Sequence, residues 1–194
     1  TSHRQECRPH FDVVIAGEAE NIWTQFLTDL DGGDHQACYV EREFIDIRKT
    51  PIPRWDLLPI EDYLSGIVQA SRGCPNDCEF CDVTSLFGRQ CRYKPVDQVI
   101  EETRGLIHRG VIEVFFADDN FIGNRRKAKA ILKRLIALNT AVRWPVAYVT
   151  QVTITVAEDE ELLRLFRQAG FVALSWGSKR PIKQAWKLPT NRPI

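Results

Sequence analysis

The chain has 194 residues, and its 26 Lys and Arg balance 26 Asp and Glu to a formal net charge of zero. That length suits one domain, or one domain with a fragment of another, and 44% hydrophobic residues are too many for a disordered chain. The even charge speaks against nucleic-acid binding through a broad basic surface, and no apolar run approaches the ~20 residues that span a membrane.

Phe11 to Ala16 is a short apolar run that predicts a strand, broken by Gly17. In Glu18 to Leu30, Ile22, Trp23, Phe26, Leu27 and Leu30 recur at helical spacing and predict a helix with an apolar stripe, ended by Asp31-Gly32-Gly33-Asp34. Pro51, Pro53 and Pro59 then mark an extended linker and a domain boundary near residue 60. Beyond it a unit repeats. Gly66 to Ala70 reads as a strand, and Pro95 to Arg109 as a helix with Val99, Ile100, Thr103, Leu106 and Ile107 inward and Gly110 as its stop. Val111 to Ala117 is a strand. Asn124 is placed to cap a helix whose inner stripe is Ala128, Ile131, Leu132, Leu135 and Ile136. Trp144 to Val152, Glu158 to Ala169 with Gly170, and Phe171 to Leu174 read as strand, helix and strand. Strands alternating with such helices predict an α/β fold of parallel strands, a barrel or part of one, over residues 61–175. In such a fold chemistry belongs at the C-terminal ends of the strands.

Three of the six cysteines fall in one loop after the first barrel strand, Ser71 to Cys81, as C-x3-C-x2-C at Cys74, Cys78 and Cys81. No apolar signal segment follows Thr1, so a reducing, cytoplasmic setting is expected and clustered cysteines read as metal ligands before disulfides. Thiolates suit zinc and iron–sulfur clusters, and three of them leave one iron of a four-iron cluster open. The alternative is a structural zinc site completed by Cys91, against which stand the x3 spacing and the basic neighbours Arg89, Arg92 and Lys94. Cys7 and Cys38 read as ordinary thiols, and the four histidines as surface or loop residues.

The loop, with Phe80 before the third cysteine, resembles that of the radical S-adenosylmethionine superfamily. The wider string through Leu86-Phe87-Gly88-Arg89 and Phe115 to Asn124 resembles the radical enzymes that carry an N-terminal cobalamin-binding domain. The resemblance runs from about Phe11 to Leu174. It implies a [4Fe–4S] cluster on Cys74, Cys78 and Cys81, with S-adenosyl-L-methionine on the open iron. It also implies reductive cleavage to a 5′-deoxyadenosyl radical that abstracts hydrogen from a substrate. A low-potential electron donor such as flavodoxin or ferredoxin is implied as partner, with the protein binding, orienting and excluding water. Phe80 would pack beside the adenine. Asp118, Asp119 and Asn120, at the end of the second strand, would contact the amino group of the cofactor, where charge-assisted hydrogen bonds are available. Capping of the next helix is the alternative for these residues and for Asn124. Gln151 and Thr153 end the third strand and are candidates for the cofactor's ribose or carboxylate. The acids Glu101-Glu102 and Glu158 to Glu161 read as dipole-complementing residues on exposed faces, and Arg125 to Arg134 as a solvated helix face.

His10 to Tyr39 resembles the junction that follows the family's cobalamin domain. Residues 1–60 hold no D-x-H-x-x-G cobalt-ligand motif and are too few for a doubly wound domain, so cobalamin is expected only in full-length family members. The chain contains no methionine, which predicts a fragment or a processed product. After Ser175 the family pattern would continue Gly-Ile-Glu-Thr-Pro, where this chain reads Trp176-Gly177-Ser178-Lys179-Arg180. One set of synonymous codons for Trp176 to Trp186 encodes the family continuation in a shifted frame, so residues 176–194 are expected to be an aberrant, frameshifted tail and the chain to be truncated and of reduced or no activity. A non-catalytic zinc or iron–sulfur module and an inactive fragment are the competing readings. The substrate is not legible.

Overall fold

The computed structural model describes residues 4–176. After a short turn of helix, α1 (Arg4–Cys7), comes a small βαβ unit. It comprises β1 (Val14–Ala16), α2 (Glu20–Gly32) and β2 (Cys38–Val40), with β1 and β2 parallel. The predicted strand and helix both form, and the apolar stripe of the helix is mostly uncovered. Ile22 alone in α2 is buried, while Trp23, Leu27 and Leu30 are 50%, 42% and 45% exposed. Periodicity marks which face is apolar; it does not say that anything covers it. The proline stretch carries only short 3₁₀ turns at Trp55–Leu57 and Ile60–Asp62.

The main body is a four-stranded sheet in the order β3 (Gly66–Val68), β6 (Glu113–Phe116), β7 (Ala147–Gln151), β8 (Phe171–Ser175), every pair parallel. Between consecutive strands of this sheet run α4 (Val96–Ile107), α5 (Arg125–Ala141) and α6 (Glu160–Ala169). The inner faces expected for α4 and α5 form, with Val99, Ile100, Thr103 and Leu106, then Ala128, Ile131, Leu132 and Leu135 buried and Ile107 and Ile136 half-buried; α6 buries Leu162, Leu165 and Phe166. They pack on Val68, Val114, Phe116 and Tyr148 of the strands, joined by Phe121 and Phe171. Phe121 meets Phe116 at 5.4 Å between ring centroids and Phe166 at 5.7 Å. Burying each such ring contributes about 1.5–3 kcal/mol. The alternate strand residues Ile67, Phe115, Val149 and Ala173 are in register across the opposite face and are exposed or half-buried.

Asn124 caps α5, its side chain accepting from the Lys127 N–H, and Asp159 caps α6 in the same way through the Leu162 N–H. Two very short strands were not foreseen. These are β4 (Ser71–Arg72) and β5 (Arg92–Tyr93), paired antiparallel so that Ser71 faces Tyr93 and Arg72 faces Arg92. Between them lies the cysteine loop, which includes α3 (Val83–Phe87). Strands of two residues leave no periodicity to read.

One expectation about charge is corrected. Glu101 is exposed and paired with Arg104, but Glu102 is fully buried. Its two carboxylate oxygens accept from Lys94 Nζ at 2.8 and 2.9 Å, and Gln98 adds a third bond. The basic face of α5 is as expected, with Arg125, Lys129, Lys133 and Arg134 all paired to acids. Of the tail expected to be aberrant, residues 177–194 lie outside the described residues. No helix among the described residues is long and apolar enough to cross a membrane.

Candidate functional site

The cysteine loop leaves the C-terminal end of β3 through β4 and returns through β5. Gly73 opens it at φ +97°, and a side chain there would press on the Gln90 carbonyl, so glycine is required. Two carboxylates at the end of the neighbouring β6 hold the opening. Asp118 accepts from Ser71 Oγ at 2.5 Å and from the Ala70 N–H at 3.2 Å, and Asp119 accepts from the Gly73 N–H at 2.8 Å. Asp118 is buried to 1% exposure, and burial pushes its carboxyl up to about 7 although these hydrogen bonds oppose the shift.

Cys74 is buried at 9% exposure, with its N–H bonded to the Gly88 carbonyl. Cys78 is exposed and Cys81 half-buried, linked by a turn in which the Cys81 N–H donates to the Cys78 carbonyl at 3.0 Å. Among the described residues no three His, Cys, Asp or Glu side chains stand close enough together to hold a metal ion. The three thiols therefore share one loop without converging on a common centre. Phe80, between them, is 70% exposed.

Asn120, from the same strand end, also meets the loop. It is buried, and its Nδ2 lies 3.8 Å from Cys74 Sγ. Its Oδ1 is buried without a hydrogen-bond partner. It is an acceptor that no donor among the described residues reaches. The segment is fixed from below, because Phe121 enters the core and its N–H bonds the Gln151 carbonyl, while Tyr93 donates its hydroxyl to the Phe121 carbonyl. Gln151 is exposed at the end of β7, and Thr153 Oγ1 shares a hydrogen bond with Thr155. Neither Asp118 nor Asp119 caps α5; Asn124 does.

Cys91 is part-buried behind the loop. Its Sγ donates to the Gly73 carbonyl at 3.0 Å, and burial, with Cys74, Asp118 and Asp119 nearby, pushes the thiol up to about 12. Its basic neighbours are paired as well: Arg89 with Asp77, Arg92 with Glu18, Lys94 with Glu102. In its chemistry the donor set, three thiols on one loop with the buried Asn120 amide beside Cys74, suits an iron–sulfur cluster, although the thiols are not gathered on one centre here. Ser71, Tyr93, Glu18, Arg72 and Arg92 were not foreseen as parts of the site. Their side chains gain meaning only when β4 and β5 pair.

Comparison with known proteins gives the same direction. An uncharacterized methyltransferase of Synechocystis sp. is 37% identical over 175 residues, covering 90% of this chain and 33% of the relative. The hopanoid C-2 methylase of Rhodopseudomonas palustris is 33% identical over 184 residues, covering 92% of this chain and 35% of the relative. The chain thus spans about a third of the length of these relatives. Among solved structures, the radical S-adenosylmethionine methyltransferase TsrM of Kitasatospora setae, with tryptophan and a cofactor analogue bound, has a TM-score of 0.69 at 18% identity. It covers 84% of this chain and 36% of that one, a likeness of fold. Residues 68–177, more than half of the chain, match the radical SAM superfamily, and that span contains the cysteine loop and the Asp118 to Asn120 strand end. By that match, the chain belongs to the radical SAM superfamily.

Proposed function

We propose that this chain is the cluster- and S-adenosylmethionine-binding part of a radical enzyme. Residues 61–175 form the first half of a β/α barrel, and residues 1–60 form the end of a cobalamin-binding domain and its linker. One observation carries the reading. A three-cysteine loop leaves the first strand of a parallel sheet beside the buried, unpartnered Oδ1 of Asn120 at the end of the next.

Cys74, Cys78 and Cys81 would hold a [4Fe–4S] cluster. When bound, it supplies the electron that cleaves the sulfonium C–S bond of S-adenosylmethionine. Asn120 would accept a hydrogen bond from the ammonium of the cofactor, and Asp119 would add negative charge. Asp118, engaged with Ser71 and Ala70, holds the loop opening in place. Phe80 offers an exposed ring for the adenine, and Gln151 a polar group at the next strand end. The reductant is a low-potential donor such as flavodoxin or ferredoxin. The methyltransferase and methylase names of the relatives favour methyl transfer as the reaction of the whole protein. Cobalamin is assigned to full-length proteins of this type, as in TsrM, and not to residues 1–60.

The test is anaerobic reconstitution with iron and sulfide. The protein should turn brown, and Ala at Cys74, Cys78 or Cys81 should abolish the colour. The EPR signal of the reduced protein should change on adding S-adenosylmethionine. A colourless protein that holds zinc, and releases it when Cys91 becomes Ala, would show a zinc module instead.

A further inference from the structure

A carboxylate from the N-terminal βαβ unit closes on the neck of the cysteine loop. Gly17 ends β1 at φ +95°, and a side chain there would collide with the Glu41 carbonyl, so glycine makes the turn that sends Glu18 inward. Glu18 is 5% exposed. Its Oε1 accepts from Arg72 Nη1 at 2.7 Å and Arg92 Nη2 at 2.9 Å. Its Oε2 accepts from Arg92 Nη1 at 2.8 Å and from the Ile45 N–H at 2.8 Å. Arg72 and Arg92 are cross-strand partners in β4 and β5, the two strands through which the loop leaves and returns.

The arginines border the loop directly. Arg72 is separated from Cys74 by Gly73 alone, and Arg92 follows Cys91, whose Sγ reaches the Gly73 carbonyl. Arg72 also pairs with Glu20 at 2.9 Å and lies over the Phe87 ring at 5.7 Å; Arg92 lies over Phe44 at 4.8 Å. Two guanidinium groups facing each other across a strand pair would repel, and the buried carboxylate between them turns that repulsion into a tie. Asp118 and Asp119 hold the opposite side of the same neck through Ser71 and Gly73. The loop is thus gripped by carboxylates from two parts of the chain.

We propose that Glu18 is a positioning residue for the metal site: it sets the neck from which Cys74, Cys78 and Cys81 present their thiols, making the N-terminal unit a working part of that site. What the loop binds rests on the radical-enzyme reading; the grip itself does not.

The test uses the full chain, first without a cluster. Cys74 alkylation by iodoacetamide is followed by mass spectrometry in Glu18→Gln and Arg92→Lys, with backbone hydrogen exchange across the molecule. Removing one partner of a buried ion pair favours local opening, so Cys74 should react about tenfold faster or more. Exchange should rise across residues 72–92 and stay unchanged in β6 and β7. An unchanged Cys74 rate overturns the proposal, as does exchange raised equally throughout, which would mean general loosening. The variants are then reconstituted beside the wild type. Glu18→Gln should hold less iron and give a broader EPR signal when reduced, whereas equal iron and an identical line shape overturn the proposal. A wild type that takes up no iron sinks the radical-enzyme reading, and the alkylation result then decides the grip alone.

Discussion

Replacing Asp118 with Asn removes a carboxyl that the fold holds at about 7 against an ordinary 3.8. Burial is the leading cause, and the hydrogen bonds from Ser71 and Ala70 oppose it without cancelling it. An acid with a raised folded-state pKa binds its proton more tightly in the folded chain than in the unfolded one. Its contribution to stability is therefore greatest below its unfolded value, falls as the pH rises, and is lost above its folded value. At about 1.4 kcal/mol per unit, the change between pH 5 and pH 8 amounts to roughly 3 kcal/mol. Asp118→Asn has no proton to lose there, and the other groups titrate alike in both proteins. The difference between the two stability curves isolates this carboxyl. The assay is urea unfolding of reduced, cluster-free protein, followed by tryptophan fluorescence at several pH values. Wild type should lose roughly 3 kcal/mol relative to Asp118→Asn on going from pH 5 to pH 8. Parallel curves would refute the reasoning, because they would mean that the two hydrogen bonds outweigh burial and keep Asp118 ionised at pH 5.

Asn120→Ala should weaken S-adenosylmethionine binding by roughly 1–3 kcal/mol while leaving the visible absorption of the cluster unchanged. Calorimetry on reconstituted protein checks this, and equal affinity would remove Asn120 from the site. Lys94→Ala leaves the Glu102 carboxylate buried without its cation and should cost about 3–5 kcal/mol in urea unfolding. Changing both at once, Lys94→Met with Glu102→Leu, should recover most of that loss; a double variant as weak as the single one would contradict the account. Cys91→Ala should still take up iron and sulfide, since this thiol is engaged with the Gly73 carbonyl. Failure to do so would show that three cysteines are not the whole ligand set.

Much of the main body was legible residue by residue. Val99 to Leu106 and Ala128 to Leu135 repeat at helical spacing, and Asn124 stands where its side chain can reach the third N–H of the following helix; the cap by Asp159 was not foreseen, that acid being expected only to complement the dipole. Such signals are local: the residues that make the bond or share the face lie within a few positions of each other. The cysteine loop was legible for the same reason, its thiols being fixed to one short segment. What surrounds that loop was not. Asp118 and Asn120 were both expected to face the cofactor, yet Asp118 grips Ser71 and Ala70, and Asn120 keeps the open acceptor beside Cys74. Both lie beyond the end of β6, where no strand alternation fixes a side chain's direction, and only the segments folded against them decide what each one meets. Glu102 is buried because Lys94 reaches it, and Glu18 because Arg72 and Arg92 do. A charged residue reads as solvent-facing until a partner of opposite sign is folded against it. The sequence by itself determined the alternation of strands and helices and the spacing of the three cysteines in one loop, because both are properties of short segments. The tertiary structure alone decided which charges are buried and which carboxylates hold the loop, because those pairings join residues far apart in the chain and no local pattern records them.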